Sequence, residues 1–287
     1  MISSRENCAV QDTTERYRLI RILSKSPNSQ VHLVESKKTN SLHICKLQKT
    51  SPDLFSLGQR EKFLKEIRLI TKLSHKNIIE LESFCEQGVY TKSSSHIHDC
   101  LFYITEYYPQ GNLFSLVTNN SSGLDEDCTK SIFKQIASGL NYLHNTGYAH
   151  GDIRLENFLI SNNGLIKIID FEYSKPVNQL SKVFQGSNYY MAPEIISQSP
   201  YLPGKSDVFS SGCILFSLYF GCPGFKSASP RDRFYQSLVN SPESFWNKFE
   251  ALKEVPYGLK ILLENMLANE PIDRMSIEDV FHDPWII

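Results

Sequence analysis

Residues 150–157 place a carboxylate, a cation and an amide close together in the chain. The segment reads His-Gly-Asp-Ile-Arg-Leu-Glu-Asn, so it contributes Asp152, Arg154 and Asn157. A helical pattern precedes it, and two short apolar runs typical of a β-hairpin follow it. Asp170 comes directly after the second run. The pattern therefore predicts a helix, a polar loop, and a hairpin that delivers a second aspartate. The three flanking patterns occupy residues 131–144, 158–160 and 165–169.

This arrangement is what metal-assisted phosphoryl transfer requires. In that chemistry one carboxylate accepts the proton of a hydroxyl group, while a second carboxylate and an amide hold magnesium against phosphates. We therefore expect Asp152 to act as the base. Asn157 and Asp170 are the candidate metal ligands.

The composition indicates a folded chain of one large domain or two small lobes. Of its 287 residues, 41% are hydrophobic and 21% are charged, which allows a sizeable core. Thirty Lys and Arg residues face 31 Asp and Glu residues, a net charge of -1. Nothing in this balance indicates binding to nucleic acid or to an acidic membrane.

The cysteines and the N-terminus predict a soluble cytoplasmic protein. The seven cysteines are scattered without a C-x-x-C pair, which favours reduced thiols over a disulfide framework or a zinc site. Residues 1–11 are polar and lack a secretory signal. The longest apolar stretch, 213–220, is too short to cross a membrane. The sequence indicates no particular oligomeric state.

In the first third of the chain, the pattern predicts a loose polar tail at 1–16 and then strands. Alternating apolar residues from Tyr17 to Leu33 predict two strands joined by a polar turn. Lys46 ends another strand pattern, where a lone lysine is usually a solvated edge charge. Glu66 lies in a helical pattern that follows these predicted strands along the chain.

A stretch rich in serine and histidine, Gln87 to Asp99, predicts a loop inserted between two strands. It contains His96 and His98. These two histidines have no Cys or Asp partner at ligand spacing, so the sequence does not favour a metal site there.

Taken in order, these motifs resemble the eukaryotic protein kinase family. His150–Asn157 matches the catalytic loop H-x-D-x-x-x-x-N, and Asp170–Glu172 reads D-F-E where the family has D-F-G. Lys46 ends H-I-C-K where the family has V-A-I-K. Further matches are 73–79 (L-x-H-x-N-I), 186–194 (G-x-x-x-Y-x-A-P-E), 207–212 (D-x-x-S-x-G) and 282–286, whose H-D-P-W-I is similar to the calcium/calmodulin-dependent group.

The resemblance implies an α+β fold, the bilobal protein kinase fold. It implies a small β-rich N-lobe at 17–107, a larger α-helical C-lobe at 108–286, and nucleotide in the cleft between them. Residues 1–16 would be an N-terminal tail. It further implies ATP and Mg²⁺ as cofactors, and protein substrates with serine or threonine. Serine/threonine specificity is favoured over tyrosine, because Leu155-Glu156 replaces the paired alanines of the tyrosine kinase loop and residues 187–194 lack a P-x-x-W approach.

The resemblance also assigns roles to individual residues. Lys46 would pair with the ATP phosphates and with Glu66, and Arg154 would place a cation near the transferred phosphoryl group. Thr105 would be the gatekeeper beside adenine, with Glu194 and Arg274 forming a structural ion pair. The other implied nucleotide-binding positions are Leu23, Ser24, Ser26, Ser29, Val31, Ile44, Glu106, Tyr108, Leu159 and Asp170.

Three departures from the family pattern weaken the expected fit to nucleotide, and a fourth concerns regulation by phosphorylation. Serines replace the three glycines of the phosphate loop, which removes conformational freedom near the phosphates. Ile44 replaces a small alanine, and Glu172 replaces the glycine of D-F-G and adds a negative charge. Gly151 replaces an arginine that binds a phosphorylated activation segment, so phosphorylation of Ser174 or Ser181 is not expected to switch activity. An active serine/threonine kinase is the favoured hypothesis. A pseudokinase that acts as a binding or scaffolding module is the alternative.

Overall fold

The computed structural model describes residues 9–11, 16–26, 29–49, 57–93, 96–184 and 187–287. Contacts divide the chain into two compact units. The first is built mainly of strands and the second mainly of helices, which agrees with the predicted α+β fold of a small β-rich part and a larger helical part. The division into a 1–16 tail and lobes at 17–107 and 108–286 stays a prediction. The units comprise Met1–Ser74 with Ile79–Tyr108, and His75–Ile78 with Pro109–Ile287.

The N-terminal unit is a closed antiparallel barrel in the strand order β1-β2-β3-β4-β6-β5. Its strands are β1 (Ala9–Gln11), β2 (Arg16–Lys25), β3 (Gln30–Ser36), β4 (Leu42–Lys49), β5 (Leu81–Ser93) and β6 (His96–Glu106). Side chains alternate between the two faces of each strand, so Cys45 and Leu47 point into the barrel core while Ile44 and Lys46 lie on the outer face. The predicted strand pair around the polar turn and the predicted strand before Lys46 are confirmed.

A short strand, β1, lies within the segment predicted as a loose tail. Ala9–Gln11 pair with β2 on one side and with β5 on the other. Val10 lies opposite both Tyr17 and Tyr90, and its side chain is fully buried in the barrel core. The sequence pattern missed this strand because three residues between polar neighbours carry almost no periodicity.

The predicted loop from Gln87 to Asp99 is wrong. Within the described residues of this stretch, β5 and β6 pair as antiparallel strands, with Val89 opposite Asp99. The serine- and histidine-rich composition suggested a loop, but β1 pairs with residues 89–91 of β5, and Tyr90 is buried. The side chains of His96 and His98 lie outside the described residues.

Among the described residues of this unit, the long helix is the predicted one that carries Glu66. Helix α1 spans Leu57–Ile70. Phe63, Ile67 and Ile70 are buried along its predicted apolar face, and Leu73 continues that face beyond the helix end. Burial of this stripe, not helix propensity alone, holds the helix in place.

The C-terminal unit is mainly helical and contains two short strand pairs. Its helices are α2 (Leu113–Asn119), α3 (Glu126–Asn145), α4 (Pro193–Ile196), α5 (Pro203–Phe220), α6 (Arg233–Asn240), α7 (Pro242–Glu250), α8 (Tyr257–Met266) and α9 (Ile277–Phe281). Its strands are β7 (Tyr148–Ala149), β8 (Phe158–Ile160), β9 (Ile166–Ile168) and β10 (Lys175–Pro176). The predicted helix before the catalytic loop and the hairpin after it are confirmed as α3 and β8–β9.

Helices α3 and α5 support the loop at 150–157 in this unit. Asp125 caps the N-terminus of helix α3, and its carboxylate accepts a hydrogen bond from the Cys128 amide at 2.7 Å. Helix α5 is buried along almost its whole length, including the apolar stretch 213–220. Together they form the scaffold on which the catalytic loop lies.

The predicted ion pair between Glu194 and Arg274 is present and buried. Nη1 and Nη2 of Arg274 each donate to one Glu194 carboxylate oxygen at 2.7 Å. Nε of Arg274 donates to the carbonyl oxygen of Ala268, and Ser206 donates to Glu194. Both charges are therefore neutralised and hydrogen-bonded, which a buried pair requires.

Two sequence predictions concern thiols and membranes. Within the described residues, all six cysteines are free thiols. Among the helices that the structure describes, none is long and apolar enough to cross a bilayer.

Candidate active site

A row of side chains crosses four strands on the outer face of the barrel. Ser24 lies opposite Val31, Val31 opposite Lys46, and Lys46 opposite Tyr103. Residues directly opposite each other in a sheet point to the same face. Three residues that the resemblance assigned to nucleotide binding are thus neighbours on one surface.

Lys46 forms a buried ion pair with Glu66 of α1. Its Nζ lies 2.9 Å from both carboxylate oxygens of Glu66. The phenol of Tyr103 donates a further hydrogen bond to Glu66 at 3.0 Å. The Tyr103 phenol fixes the orientation of the Glu66 carboxylate. That orientation in turn determines where the ammonium group of Lys46 is held.

Two of the three serines that replace the phosphate-loop glycines, Ser26 and Ser29, bond to each other. The amide of Ser29 donates to Oγ of Ser26 at 3.0 Å, and the amide of Ser26 donates to the Ser29 carbonyl at 2.9 Å. Two backbone N–H groups that could approach a phosphate are therefore already paired within the turn. Within the described residues, none of the three serines has a positive φ. Pro27 and Asn28 at the tip lie outside the described residues.

The candidate adenine-binding positions follow on β4 and β6. Ile44 lies opposite the buried gatekeeper candidate Thr105. At the end of β6, Glu106 accepts a hydrogen bond from the phenol of Tyr108 at 2.9 Å. Burial and this bond raise the pKa of Tyr108. Leu23 is partly exposed on β2.

In the C-terminal unit, Asp207 of α5 holds the start of the catalytic loop. Its two carboxylate oxygens accept hydrogen bonds from the backbone amides of His150 at 2.7 Å and of Gly151 at 3.0 Å. His144 at the end of α3 also contacts Asp207, with Nε2 at 2.9 Å. One buried carboxylate thereby ties two helices to the loop that carries Asp152.

Asp152, Asn157 and Asp170 are grouped around the loop. Nδ2 of Asn157 donates to the Asp152 carbonyl at 2.8 Å and to its carboxylate at 3.0 Å. Burial raises the pKa of Asp152, and the negative charge of Asp170 acts in the same direction. The hydrogen bond from Asn157 opposes this rise. The amide of Ile169 donates to the main-chain carbonyl of Asn157 at 3.0 Å, which places Asp170 next to this loop.

These residues fit a magnesium ion. Mg²⁺ prefers oxygen ligands and is usually held by one or two carboxylates together with phosphates. Since the amide nitrogen of Asn157 donates to Asp152, its amide oxygen remains as the ligand atom. A cation between this oxygen and Asp170 would relieve the repulsion between the two aspartates.

Arg154 makes a pairing that the sequence reasoning did not foresee. Its guanidinium donates to both carboxylate oxygens of Glu156, at 3.0 Å from Nε and 2.7 Å from Nη2. Burial acts to raise the pKa of Glu156, but the hydrogen bonds and charge of Arg154 together with a backbone hydrogen bond lower it. The same bond to Glu156 raises the pKa of Arg154. The cation predicted beside the transferred group is therefore held by its own loop.

In the D-F-E segment, the residue with a left-handed backbone conformation is not Glu172, which replaces the family's glycine. The left-handed residue is Asp170, with φ 65°, a conformation that aspartate tolerates better than most residues. Phe171 is buried, and the centroid of its ring lies 5.1 Å from the centroid of the His150 ring. Glu172 has no positive φ, so its backbone does not need the glycine that the family carries there.

Gly151 has a local reason for replacing arginine. It has φ +79°, and a Cβ atom there would lie 2.5 Å from the Tyr173 carbonyl oxygen. A side chain at 151 would therefore have to move the Tyr173 backbone. The departure follows from packing in this loop.

Leu159 lies in β8 and pairs with Lys167 of β9 and with Asn112 in an isolated bridge. It is half-buried in the C-terminal unit. The structure places the proposed site residues in two sets. Leu23, Ser24, Ser26, Ser29, Val31, Ile44, Lys46, Glu66, Thr105, Glu106 and Tyr108 belong to the N-terminal unit, and Asp152, Arg154, Asn157, Leu159 and Asp170 to the C-terminal unit.

The family comparison agrees with this fold. The sequence profile of the protein kinase domain matches residues 17–286. The chain therefore belongs to the protein kinase family.

Individual relatives are distant and longer. The chain is 27% identical to a probable serine/threonine-protein kinase, fhkC, of Dictyostelium discoideum, over 94% of this chain and 44% of that protein. It is 28% identical to calcium-dependent protein kinase 4 of Plasmodium falciparum, over 95% of this chain and 49% of that protein. An Aurora kinase of Yarrowia lipolytica is 28% identical over 92% of this chain and 67% of that protein. The chain thus spans about half the length of the first two relatives.

Proposed function

We propose that this chain is a serine/threonine protein kinase domain, at residues 17–286, that transfers the γ-phosphoryl group of ATP to protein hydroxyls. The observation that carries the proposal is the cluster of Asp152, Asn157 and Asp170, in which a hydrogen bond orients the base and a second carboxylate lies nearby. The Lys46–Glu66 pair supports it, since it holds a cation that can bind phosphate oxygens.

In this mechanism, Asp152 accepts the proton of the substrate hydroxyl group while the oxygen of that hydroxyl group forms a bond to the γ-phosphorus. The bond from the γ-phosphorus to the bridging oxygen breaks, and ADP leaves. Asn157 keeps the Asp152 carboxylate in position. Magnesium, when bound, neutralises charge on the phosphate oxygens, and Asn157 and Asp170 would hold it.

The first test is nucleotide binding by thermal shift. ATP with magnesium is expected to raise the melting temperature, because a ligand that binds only the native state stabilises it by mass action. The shift should be lost in Lys46→Ala and Asp170→Asn, each compared with its own unliganded protein. Lys72→Ala, which alters an exposed lysine in the same unit as Lys46, serves as the control. No shift of the unaltered protein at millimolar ATP would contradict the proposal.

A pseudokinase that binds partners without phosphoryl transfer is the second candidate. The observation in its favour is the paired turn of Ser26 and Ser29, which occupies two backbone donors of the phosphate loop. No chemical group that the transfer requires is missing from the cluster. We therefore favour the active kinase.

Opening the serine turn should strengthen nucleotide binding. Ser26→Gly removes the hydroxyl that accepts a hydrogen bond from the Ser29 amide. That amide can then donate a hydrogen bond to a phosphate oxygen. A net hydrogen bond is worth about 1 kcal/mol, so we expect the dissociation constant of Mg-ATP to fall about three- to ten-fold. Titration calorimetry measures it, with Ser41→Gly in the neighbouring turn as the control. Unchanged or weaker binding would show that the paired turn does not limit affinity.

Phosphorylation of the activation segment should not be needed for activity. Ser174 is buried and its hydroxyl donates to the His150 carbonyl at 3.3 Å, so it is not accessible to another kinase. Ser181 is half-buried, and Gly151 supplies no cation to receive a phosphate. Ser174→Ala and Ser181→Ala are expected to keep nearly full peptide kinase activity. A large loss in Ser181→Ala would refute this.

A further inference from the structure

Three exposed cationic side chains surround the turn that leads into helix α6. They are Lys226, Arg231 and Arg233. The amide of Asp232 donates to the carbonyl oxygen of Ser229 at 3.1 Å and closes a β-turn. Pro230 and Arg231 lie at the tip of this turn, and proline fixes its own φ angle at this position. The backbone that carries Arg231 is therefore held in a short, stiff turn.

The acidic side chain of this turn, Asp232, is occupied by backbone amides. One carboxylate oxygen accepts hydrogen bonds from the amides of Lys226 at 2.9 Å and Ser227 at 3.2 Å. The other accepts hydrogen bonds from the amides of Phe234 at 2.9 Å and Tyr235 at 3.1 Å. These bonds tie the backbone at 226 to the start of α6. Because a carboxylate offers about four acceptor positions, Asp232 has little capacity left to pair with a neighbouring cation.

The cations of this segment have no acidic partner. Within the part of the chain that the structure describes, none of the three forms an ion pair. Lys248 of α7 adds a fourth cation, whose Nζ lies 5.1 Å from the centroid of the Phe234 ring. Phe234 is 46% exposed. Arginine beside an exposed aromatic ring is typical of the residues that contribute most to binding at protein interfaces.

The positive charge of this segment contrasts with the unit around it. The C-terminal unit has 15 Lys and Arg residues against 19 Asp and Glu residues. An anionic membrane would meet a broad face of this net negative unit and be repelled by it. An extended acidic segment of a protein would contact only the cations at the start of α6. The charge distribution therefore favours a protein segment over a membrane.

We propose that this part of the molecule binds an acidic segment of a partner protein. We call it the α6 surface, and it comprises Lys226, Arg231, Arg233, Phe234 and Lys248. Aspartate or glutamate side chains of the segment pair with the cations, the arginines being able to bind a carboxylate through two hydrogen bonds. An apolar side chain beside those carboxylates packs on the Phe234 ring. Such binding requires no phosphoryl transfer and is therefore independent of the proposed activity.

The test is fluorescence anisotropy of the full chain with a labelled peptide. The peptide has twelve residues that alternate glutamate with glycine, and one leucine replaces a central glycine. It contains no serine, threonine or tyrosine, so it cannot accept a phosphoryl group. We expect binding in 50 mM NaCl that weakens at least about five-fold in 300 mM NaCl, because mobile ions screen exposed charges. The same peptide with glutamine in place of glutamate should not bind.

Variants of the α6 surface make the test specific. Arg231→Glu combined with Arg233→Glu is expected to weaken binding at least about ten-fold, since repulsion replaces attraction at two positions. An acidic residue in the first turn of a helix is favourable, so the melting temperature should be kept. Phe234→Ala should weaken binding about three- to ten-fold at both salt concentrations. The control is Lys65→Glu with Lys72→Glu, which changes the net charge equally at exposed lysines of the N-terminal unit and should keep binding within about three-fold.

Four outcomes would overturn this proposal. Equal loss of binding in both double variants would show attraction by net charge alone. Equally tight binding of the glutamine peptide, or tighter binding of a peptide with one phosphoserine and no glutamate, would show that carboxylates are not the bound groups. Cosedimentation with phosphatidylserine vesicles that is lost in the Arg231→Glu, Arg233→Glu variant, without binding of the glutamate peptide, would assign the surface to a membrane. Self-association that is lost in the same variant would assign it to a second copy of the chain.

Discussion

Asp152→Asn is expected to lower the rate of peptide phosphorylation about 10²- to 10⁴-fold, the range that a positioned general base contributes. An amide cannot accept the hydroxyl proton, but it has nearly the same shape as the carboxylate. The Asn157 hydrogen bond to the main-chain carbonyl of residue 152 does not involve the side chain and should persist. Nucleotide binding is therefore expected to remain.

The measurement is single-turnover transfer from radiolabelled ATP, together with the thermal shift by Mg-ATP. Asp127→Asn removes a carboxylate from the exposed surface of α3 and should leave the rate unchanged. If Asp152→Asn retains more than about a tenth of the rate, Asp152 is not the base.

Breaking the buried ion pair should have the largest effect on stability. Arg274→Met leaves the Glu194 carboxylate buried without its cation, which typically costs about 3–5 kcal/mol. With about 2–4 °C per kcal/mol for a domain of this size, the melting temperature is expected to fall by about 6–20 °C. Differential scanning calorimetry measures it, with exposed Arg231→Met as the control.

The double variant makes this test specific. Glu194→Met combined with Arg274→Met removes both charges and leaves a pair of apolar side chains of suitable size. Because the penalty of the single change comes from the unpaired charge, the double variant should recover much of the lost stability. If it is less stable than Arg274→Met alone, packing at this site matters more than the unpaired charge.

The sequence predicted elements that carry a strong period or a spaced motif. The i, i+3, i+4 pattern of α3 and the alternation of β4 each point to one secondary structure, and the structure contains both. Pairs such as Glu194 with Arg274 were predictable because each residue lies in its own recognisable motif. Motif order thus located residues that are 80 positions apart.

Contacts made by ordinary-looking residues could not be predicted. Tyr103 has the pattern of a buried strand residue, and only cross-strand register brings its phenol to Glu66. Arg154 and Glu156 are two positions apart, a spacing that suggests no contact in a regular helix, but the loop backbone turns them together. Such contacts depend on the shape of the loop, and no periodicity encodes that shape.

The three-residue strand β1 determines where this chain can be shortened. Since Ala9–Gln11 hydrogen-bond to both β2 and β5, the barrel has no open edge. A chain begun at Tyr17, where the family profile begins, would uncover the backbone donors and acceptors of two strands at once. Open edges of this kind pair with other molecules. Recombinant protein that lacks the first sixteen residues would accordingly self-associate more readily than protein that retains them.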